Sequence, residues 1–459
     1  MAFIWLICLI AAMGGLLFGY DWVVIGGAKP FYEPFFGITD QTPLTRGWAQ
    51  SSALLGCLLG AVLSGMLSDR LGRKRLLIFS GLLFTVSAVG TALAWDFSSF
   101  NIFRIIGGLG IGLASNLSPM YIAEISPANM RGRFVSINQL TIVIGILSAQ
   151  IVNWLIARPV PQDAAADFIL LSWNGRFGWR WMFGAETIPA FLFFCLMFFV
   201  PESPRWLIKY SKDRLAEKIL SRIAGPDYAR KELADIKATL NSREIARVNF
   251  ADLIEPKMLR IIALGVFLAV FQQWCGINVI FNYAQEVFAA AGFGITSIMF
   301  NIVITGIVCL LFTFVAIYTV DKFGRRILML VGSAGLAGIY AVLGLAYYLK
   351  STGVYMLILV VLAIACYSMS LAPVVWVVIS EIFPNRIRGA AMSVAVFSLW
   401  LACAVLTLTF PFLKNSLGSH GTFWLYGFIC VLGFLVIFKK LPETKGKSLE
   451  DIERHLVDN

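Results

Sequence analysis

The sequence predicts an all-α integral membrane protein: twelve transmembrane helices in two pseudo-symmetric six-helix bundles, joined by a cytoplasmic helical linker. Three observations carry that expectation. Of 459 residues, 59% are hydrophobic and only 14% charged. The mean hydropathy is +0.81, and a soluble domain of this length could not bury so much apolar surface. The apolar residues gather into stretches long enough to span a bilayer, and short motifs of the first half return in the second.

Twelve stretches are placed near 3–26, 48–67, 76–95, 100–123, 134–157, 180–200, 259–282, 294–320, 327–348, 354–379, 390–412 and 421–439, against the roughly 20 residues a span requires. Basic clusters follow alternate stretches: Arg70/Arg73/Lys74/Arg75, Arg131/Arg133, the 205–257 segment, Lys322/Arg325/Arg326, Arg386/Arg388 and Lys439–Lys447. The intervening loops hold few, such as Lys29 and Arg46, or Lys350 alone. An even number of spans with this asymmetry puts both termini in the cytoplasm, and the inner (plasma) membrane is the expected location. The net charge of +11 is then a topology signal and not a nucleic-acid footprint, although the basic loops could attract anionic membrane lipid. The first apolar run lacks a basic n-region and a cleavage site, so it reads as a spanning helix and not a signal peptide.

The chain divides into a first bundle at 1–200, a linker at 201–257, a second bundle at 258–440 and a cytoplasmic tail at 441–459. Pro201-Glu-Ser-Pro204 opens the linker, and Ile223-Ala-Gly-Pro226 breaks it into amphipathic pieces near 212–223 and 229–248. Asp69-Arg-Leu-Gly-Arg-Lys74 recurs as Asp321-Lys-Phe-Gly-Arg-Arg326. Glu124-Ile-Ser-Pro-Ala-Asn-Met-Arg-Gly132 recurs as Glu381-Ile-Phe-Pro-Asn-Arg-Ile-Arg-Gly389, and Pro201-Glu-Ser-Pro loosely as Pro442-Glu-Thr-Lys. Three matches in order, each displaced by about 250 residues, mark a duplicated bundle. Duplicated halves around a central cavity are how secondary transporters alternate access.

Chemistry concentrates in a few charges. Asp21 stands in Gly14-Gly-Leu-Leu-Phe-Gly-Tyr-Asp21-Trp-Val-Val-Ile-Gly-Gly27 with no basic residue near it in sequence. A carboxylate at membrane depth faces a bundle interior or a water-filled cavity and requires a partner. Arg104, near the start of the fourth stretch, has the same requirement, and pairing the two satisfies both. Glu186, in Gly184-Ala-Glu-Thr-Ile-Pro189, is either a second acid within a span or an interfacial acid near its start. The paired loops combine an acid, a glycine turn and cations: Asp69, Arg70 and Arg73 in one, Asp321 and Arg325 in the other. They read either as topology-setting charge or as braces of helix ends that form in one state and break in another, with Glu124, Arg131, Glu381 and Arg388 as partners.

Metal and nucleotide chemistry find no support. The eight cysteines fall within apolar stretches without a CxxC pair, and there are two histidines. Gly107-Gly-Leu-Gly-Ile-Gly112 lies inside a span as helix-packing glycines. No metal, cofactor or enzymatic nucleophile is expected.

Together the paired loops, Arg104-Ile-Ile-Gly-Gly-Leu-Gly-Ile-Gly112, Pro201-Glu-Ser-Pro-Arg205, Gln272-Gln273-x3-Gly276-Ile-Asn278 and Pro442-Glu-Thr-Lys445-Gly resemble the sugar-porter branch of the major facilitator superfamily over essentially the whole chain. Within it the chain is most similar to bacterial proton-coupled pentose and hexose (xylose-type) symporters. The resemblance implies the major facilitator fold, a monosaccharide and protons as partners, and proton coupling through Asp21, Arg104 and Glu186; a monomer is expected. A sugar needs amides, which donate and accept, and aromatic faces for its C–H side. Gln139, Gln272, Gln273 and Asn278 supply amides at family positions. Phe18, Tyr283, Trp376 and Trp400 supply rings, whereas Trp22 and Trp181 read as belt or packing aromatics. Gln272 and Gln273 point about 100° apart on a helix, which leaves one of them for packing. Departures from the family pattern fall at Cys309, Leu399, Cys403 and Asn282, leaving the second half of the site less polar. A deoxysugar or a smaller polyol would leave fewer hydroxyls unpaired there.

Three rival readings are a facilitative uniporter with a structural Asp21, a nutrient sensor, and a channel. The tail ending at Asn459 is short for a sensor, and state-dependent braces suit rocking halves rather than an open pore.

Overall fold

The computed structural model describes residues 2–39, 41–127, 130–161, 164–244, 255–383 and 388–445. The side chains of Arg131, Asp321 and Arg388, singled out from sequence, lie outside the described residues. The described residues are helical, without strands.

Six spans come first: Ala2–Phe35, Pro43–Leu71, Arg73–Leu93, Phe97–Ile125, Arg131–Ile156 and Asn174–Met197. Among the described residues the linker holds three helices, Pro204–Lys209, Asp213–Ala224 and Pro226–Glu244. Pro256–Asn282, Ile295–Phe323, Arg325–Tyr348 and Val354–Ile379 follow as the seventh to tenth spans. The helix Arg388–Lys440 has 53 residues, which at 1.5 Å per residue is more than twice a bilayer's hydrocarbon thickness. Gly418, at φ 68° and ψ 175°, breaks it; the two arms are the eleventh and twelfth spans. The fold is thus the twelve-span, two-bundle arrangement expected.

Two boundaries differ from the sequence reading in ways that matter. The first span does not end near 26 but continues to Phe35, through Pro30 and Pro34. Proline removes a ladder hydrogen bond and disfavours such continuation. Here Phe31 and Tyr32 are fully buried, and Tyr32 accepts a hydrogen bond from Gln50 Nε2 at 2.8 Å, so packing carries the helix past the break. Lys29, read above as a loop residue, is therefore inside the helix. The sixth span starts at Asn174 rather than 180, with a π-helical turn at Asn174–Gly178. That puts Glu186 near the middle of the span and removes the interfacial alternative.

Two later spans are discontinuous. The seventh is broken at Gly276, in the left-handed region at φ 87°. The tenth is interrupted between Ser368 and Leu371. Freed backbone groups at such breaks are the usual lining of transporter sites.

By alternation of the spans, the start of the first span, the linker and the end of the twelfth share one face, here the terminal face; the opposite one is the far face. On the terminal face the three repeated motifs meet twice in the same manner. Gly72 (φ 92°) and Gly324 (φ 88°) turn the chain between consecutive spans. A Cβ there would stand 2.3 Å from Glu202 Oε2 and 2.6 Å from Glu443 Oε2. Glu202 accepts from the Arg73 and Lys74 backbone N–H groups, both at 3.1 Å. Glu443 accepts from those of Arg325 and Arg326 at 2.9 and 3.1 Å. Each acid thereby satisfies orphan donors at a helix N-terminus.

The linker is clasped to the first half. Trp206, Leu207, Ile208, Ala216 and Ile236 form a small core of their own. Trp206 Nε1 donates to the Asp69 carbonyl at 2.9 Å, and the Arg222 guanidinium lies 4.0 Å over the Phe3 ring.

Candidate functional site

Asp21 and Arg104 sit opposite one another on the first and fourth spans, each 2% exposed. Arg104 Nη1 donates to Asp21 Oδ1 in an ion pair, and both guanidinium ends lie near the Asp21 carbonyl, at 3.4 and 3.5 Å. Gly107, one turn from Arg104, makes room for the acid: a Cβ there would be 2.7 Å from Asp21 Oδ2. That oxygen and Arg104 Nε have no hydrogen-bond partner among the described residues. Glu186, 3% exposed, lies within electrostatic reach of both members of the pair. Its Oε1 is likewise unpartnered. Phe183, one turn earlier on the sixth span, faces the Arg104 guanidinium with its ring centroid 5.6 Å away. The three charges predicted from sequence are thus gathered inside the first half, where removing water makes each strongly dependent on the others.

A second group lies between the halves. Phe18 and Trp22 of the first span reach Trp400 of the eleventh, with ring centroids 5.7 and 6.0 Å from it. Trp22 therefore belongs to this cluster and not to a membrane belt. Trp181, by contrast, is 63% exposed on the outside of the bundle. The Trp400 indole N–H is buried and unpartnered.

The two adjacent amides have different outer partners. Gln272 Nε2 donates to the Leu371 and Ala372 carbonyls at 3.2 and 3.0 Å, bracing the break in the tenth span. Gln273 donates its Nε2 to Gln272 Oε1 at 3.5 Å and accepts from Asn278 Nδ2 at 2.5 Å, so it links the two other amides. Asn278 also lies 3.7 Å from Cys403 Sγ. Gln139 is half-buried and Trp376 is 36% exposed; neither joins the aromatic cluster. Tyr283 is placed apart, its hydroxyl donating to the Thr407 carbonyl at 2.7 Å and its ring beneath the Lys29 ammonium, 4.1 Å from the centroid.

The departures are also located. Cys309 accepts from Ser368 Oγ at 3.4 Å, and Leu399, Cys403 and Asn282 are buried. One residue the sequence reading passed over is Gln150 of the fifth span. It is 1% exposed with both amide atoms unpartnered. Its Oε1 packs against Gly306, where a Cβ would be 1.8 Å away, one turn from Cys309.

On the terminal face, Arg73 bridges Asp69 (3.0 Å) and Glu124 (2.9 Å). Ser203 Oγ donates to Glu124 at 2.5 Å. Arg325 pairs with Glu381 at 3.3 Å in the second half. Arg70 is exposed and makes no hydrogen bond or ion pair among the described residues. Glu202 and Glu443, one in each half's Pro-Glu motif, complete these braces.

Comparison with known proteins agrees with this geometry. The family model described as "Sugar (and other) transporter" matches residues 7–456. The D-xylose-proton symporter of Escherichia coli (strain K12) is 41% identical, covering 98% of this chain and 95% of its own. The arabinose-proton symporter of Bacillus subtilis (strain 168) is 38% identical, covering 99% and 95%. The inward open structure of the E. coli xylose transporter XylE superposes with a TM-score of 0.84 at 40% identity, covering 98% of this chain and 99% of that one. A match of this extent, over motifs that meet in space as they do here, places the chain in the sugar transporter family of the major facilitator superfamily.

Proposed function

We propose that this chain carries a monosaccharide, a pentose, hexose or related sugar, into the cell together with protons by alternating access. The observation that carries this reading is the buried pair of Asp21 and Arg104 with Glu186 beside it. A facilitative carrier has no need of three buried ionisable groups, and buried acids in spans usually mark ion pathways. Ionised Asp21 holds the first and fourth spans together through Arg104. Protonation weakens that pair and changes the relative energies of the outward and inward states, which is the differential that coupling requires. Glu186 relays the proton.

The sugar lies between the halves, against Phe18, Trp22 and Trp400, with Gln139, Gln273 and Asn278 as its amides and Trp376 at the rim. Gln272 acts mainly through the backbone of the tenth span, and Tyr283 through the far-face contacts. Gln150 offers an amide on the side where Cys309 offers only a thiol. Arg73 with Asp69 and Glu124, and Arg325 with Glu381, brace the terminal face as the halves rock, with Arg131, Asp321 and Arg388 assigned to the same network by their motifs and Arg70 left as exposed topology-setting charge. That face is cytoplasmic, in the plasma membrane. The likeness to a xylose transporter in an inward open form supports a site facing it. The bundles are 1–200 and 258–440, with the linker at 201–257 and the tail at 441–459. The protein works as a monomer among membrane lipids, with no cofactor and no covalent step.

The test is the Asp21→Asn variant in vesicles. Loss of uphill accumulation with retained sugar exchange is expected. A variant that still concentrates sugar would rule out Asp21 as the coupling group and favour a structural role for the pair.

A further inference from the structure

On the far face a second buried charge cluster joins the two halves, and none of its charged members belongs to the proton site or the sugar site. Lys29 of the first span is 0% exposed. Its ammonium forms an ion pair with Glu286, on the short helix Ala284–Ala290 that follows the seventh span. It also lies over the Tyr283 ring and 3.7 Å from Glu33, one turn on along its own helix. Glu33 in turn is held by Arg46 of the second span at 2.9 and 3.2 Å. Tyr32 and Gln50 close the first-half side, and Tyr283 ties the other to the eleventh span through Thr407.

A lone ammonium in such a place is costly, and removing one partner of a buried pair is far more destabilising than replacing both. The Lys29–Glu286 contact is made only while the first span touches the segment after the seventh. When the far mouth opens, Lys29 retains Glu33 as a partner on its own helix. Glu286, on the short helix beyond the seventh span, would then meet water. The cluster therefore favours the closed far face without stranding a charge in the open one, which is the property a reversible latch needs.

We propose that Lys29 and Glu286 form an electrostatic latch holding the far face shut while the site faces the terminal side, and that releasing it biases the protein toward the outward-facing state. The latch rests on the alternating-access reading. Its test uses neither sugar nor proton gradient, so its failure is separate from a failure of symport.

Hydrogen–deuterium exchange on the full-length protein in lipid nanodiscs would compare wild type with Lys29→Met, Glu286→Gln and the double variant. In either single variant the segments 26–36 and 277–290 are expected to exchange about tenfold faster or more. Terminal-face segments around 66–75 and 121–127 would exchange more slowly, as that side closes. The double variant would shift less than the sum of the singles, because both act on one contact. Unchanged far-face exchange would overturn the latch. So would faster exchange at both faces, the sign of general loosening, or strictly additive shifts.

Discussion

Glu202 and Glu443 stand at equivalent places in the two halves: each accepts hydrogen bonds from two consecutive backbone N–H groups at the start of a span, beside a glycine of positive φ. This relationship explains why three separated motifs travel together in each half. The turn glycine leaves space for the carboxylate, the carboxylate caps the helix, and Arg73 or Arg325, the first residue of that helix, reaches across to Glu124 or Glu381.

Replacing Glu202 by alanine should therefore remove a charged cap and cost about 1–2 kcal/mol of stability. The measurement is thermal unfolding in detergent, with Glu443→Ala as the counterpart. Because the two sites are in different halves, the losses should add. An unchanged melting temperature in both variants would contradict the capping role.

Gln272 and Gln273 are adjacent in sequence but should fail differently. Gln272→Ala frees the Leu371 and Ala372 carbonyls at the break in the tenth span, each bond being worth about 0.5–1.5 kcal/mol. Lower thermal stability as well as weaker transport is expected. Gln273→Ala should raise KM for the sugar while leaving the melting temperature nearly unchanged. Equal stability losses in both would argue against a division of labour.

Gln150 makes the opposite case. An amide buried without partners costs about 1–3 kcal/mol, so Gln150→Leu should hold or raise the melting temperature. If the amide serves the sugar, KM should rise at the same time. A variant that is stabilised and transports normally would remove Gln150 from the site.

The Cys309→Asn and Leu399→Gln changes, alone or together, should restore polar partners in the second half. Sugars bearing more hydroxyl groups should gain relative to deoxy analogues, since an unmatched hydroxyl is penalised when a site cannot pair it. An unaltered ranking over a sugar panel would show that these positions do not set specificity.

Much of this architecture is legible in the sequence, because bilayer thickness and the scarcity of charge in spans constrain it so tightly. Asp21 and Arg104 declare themselves as unmatched charges in apolar runs, and the structure pairs them. Lys29 was hidden for the opposite reason. Pro30 beside it reads as the end of a helix, and only tertiary packing of Phe31 and Tyr32 carries the span to Phe35. Glu286 offered no sign either, since its partner is 257 residues away in the other half. Trp22 could not be told from a belt aromatic until its contact with Trp400 was seen. Gln150 gave no motif at all; only its burial without partners marks it.

The most direct test of proton-coupled sugar transport is uptake of a panel of labelled sugars into vesicles carrying the purified protein, with an inward proton gradient and again with an uncoupler. At least one monosaccharide should be concentrated above its outside level while the gradient lasts and fall to equilibrium when it is collapsed. Uptake that only equilibrates, whether or not the gradient is present, would make the protein a facilitative carrier and leave Asp21 and Arg104 a structural pair.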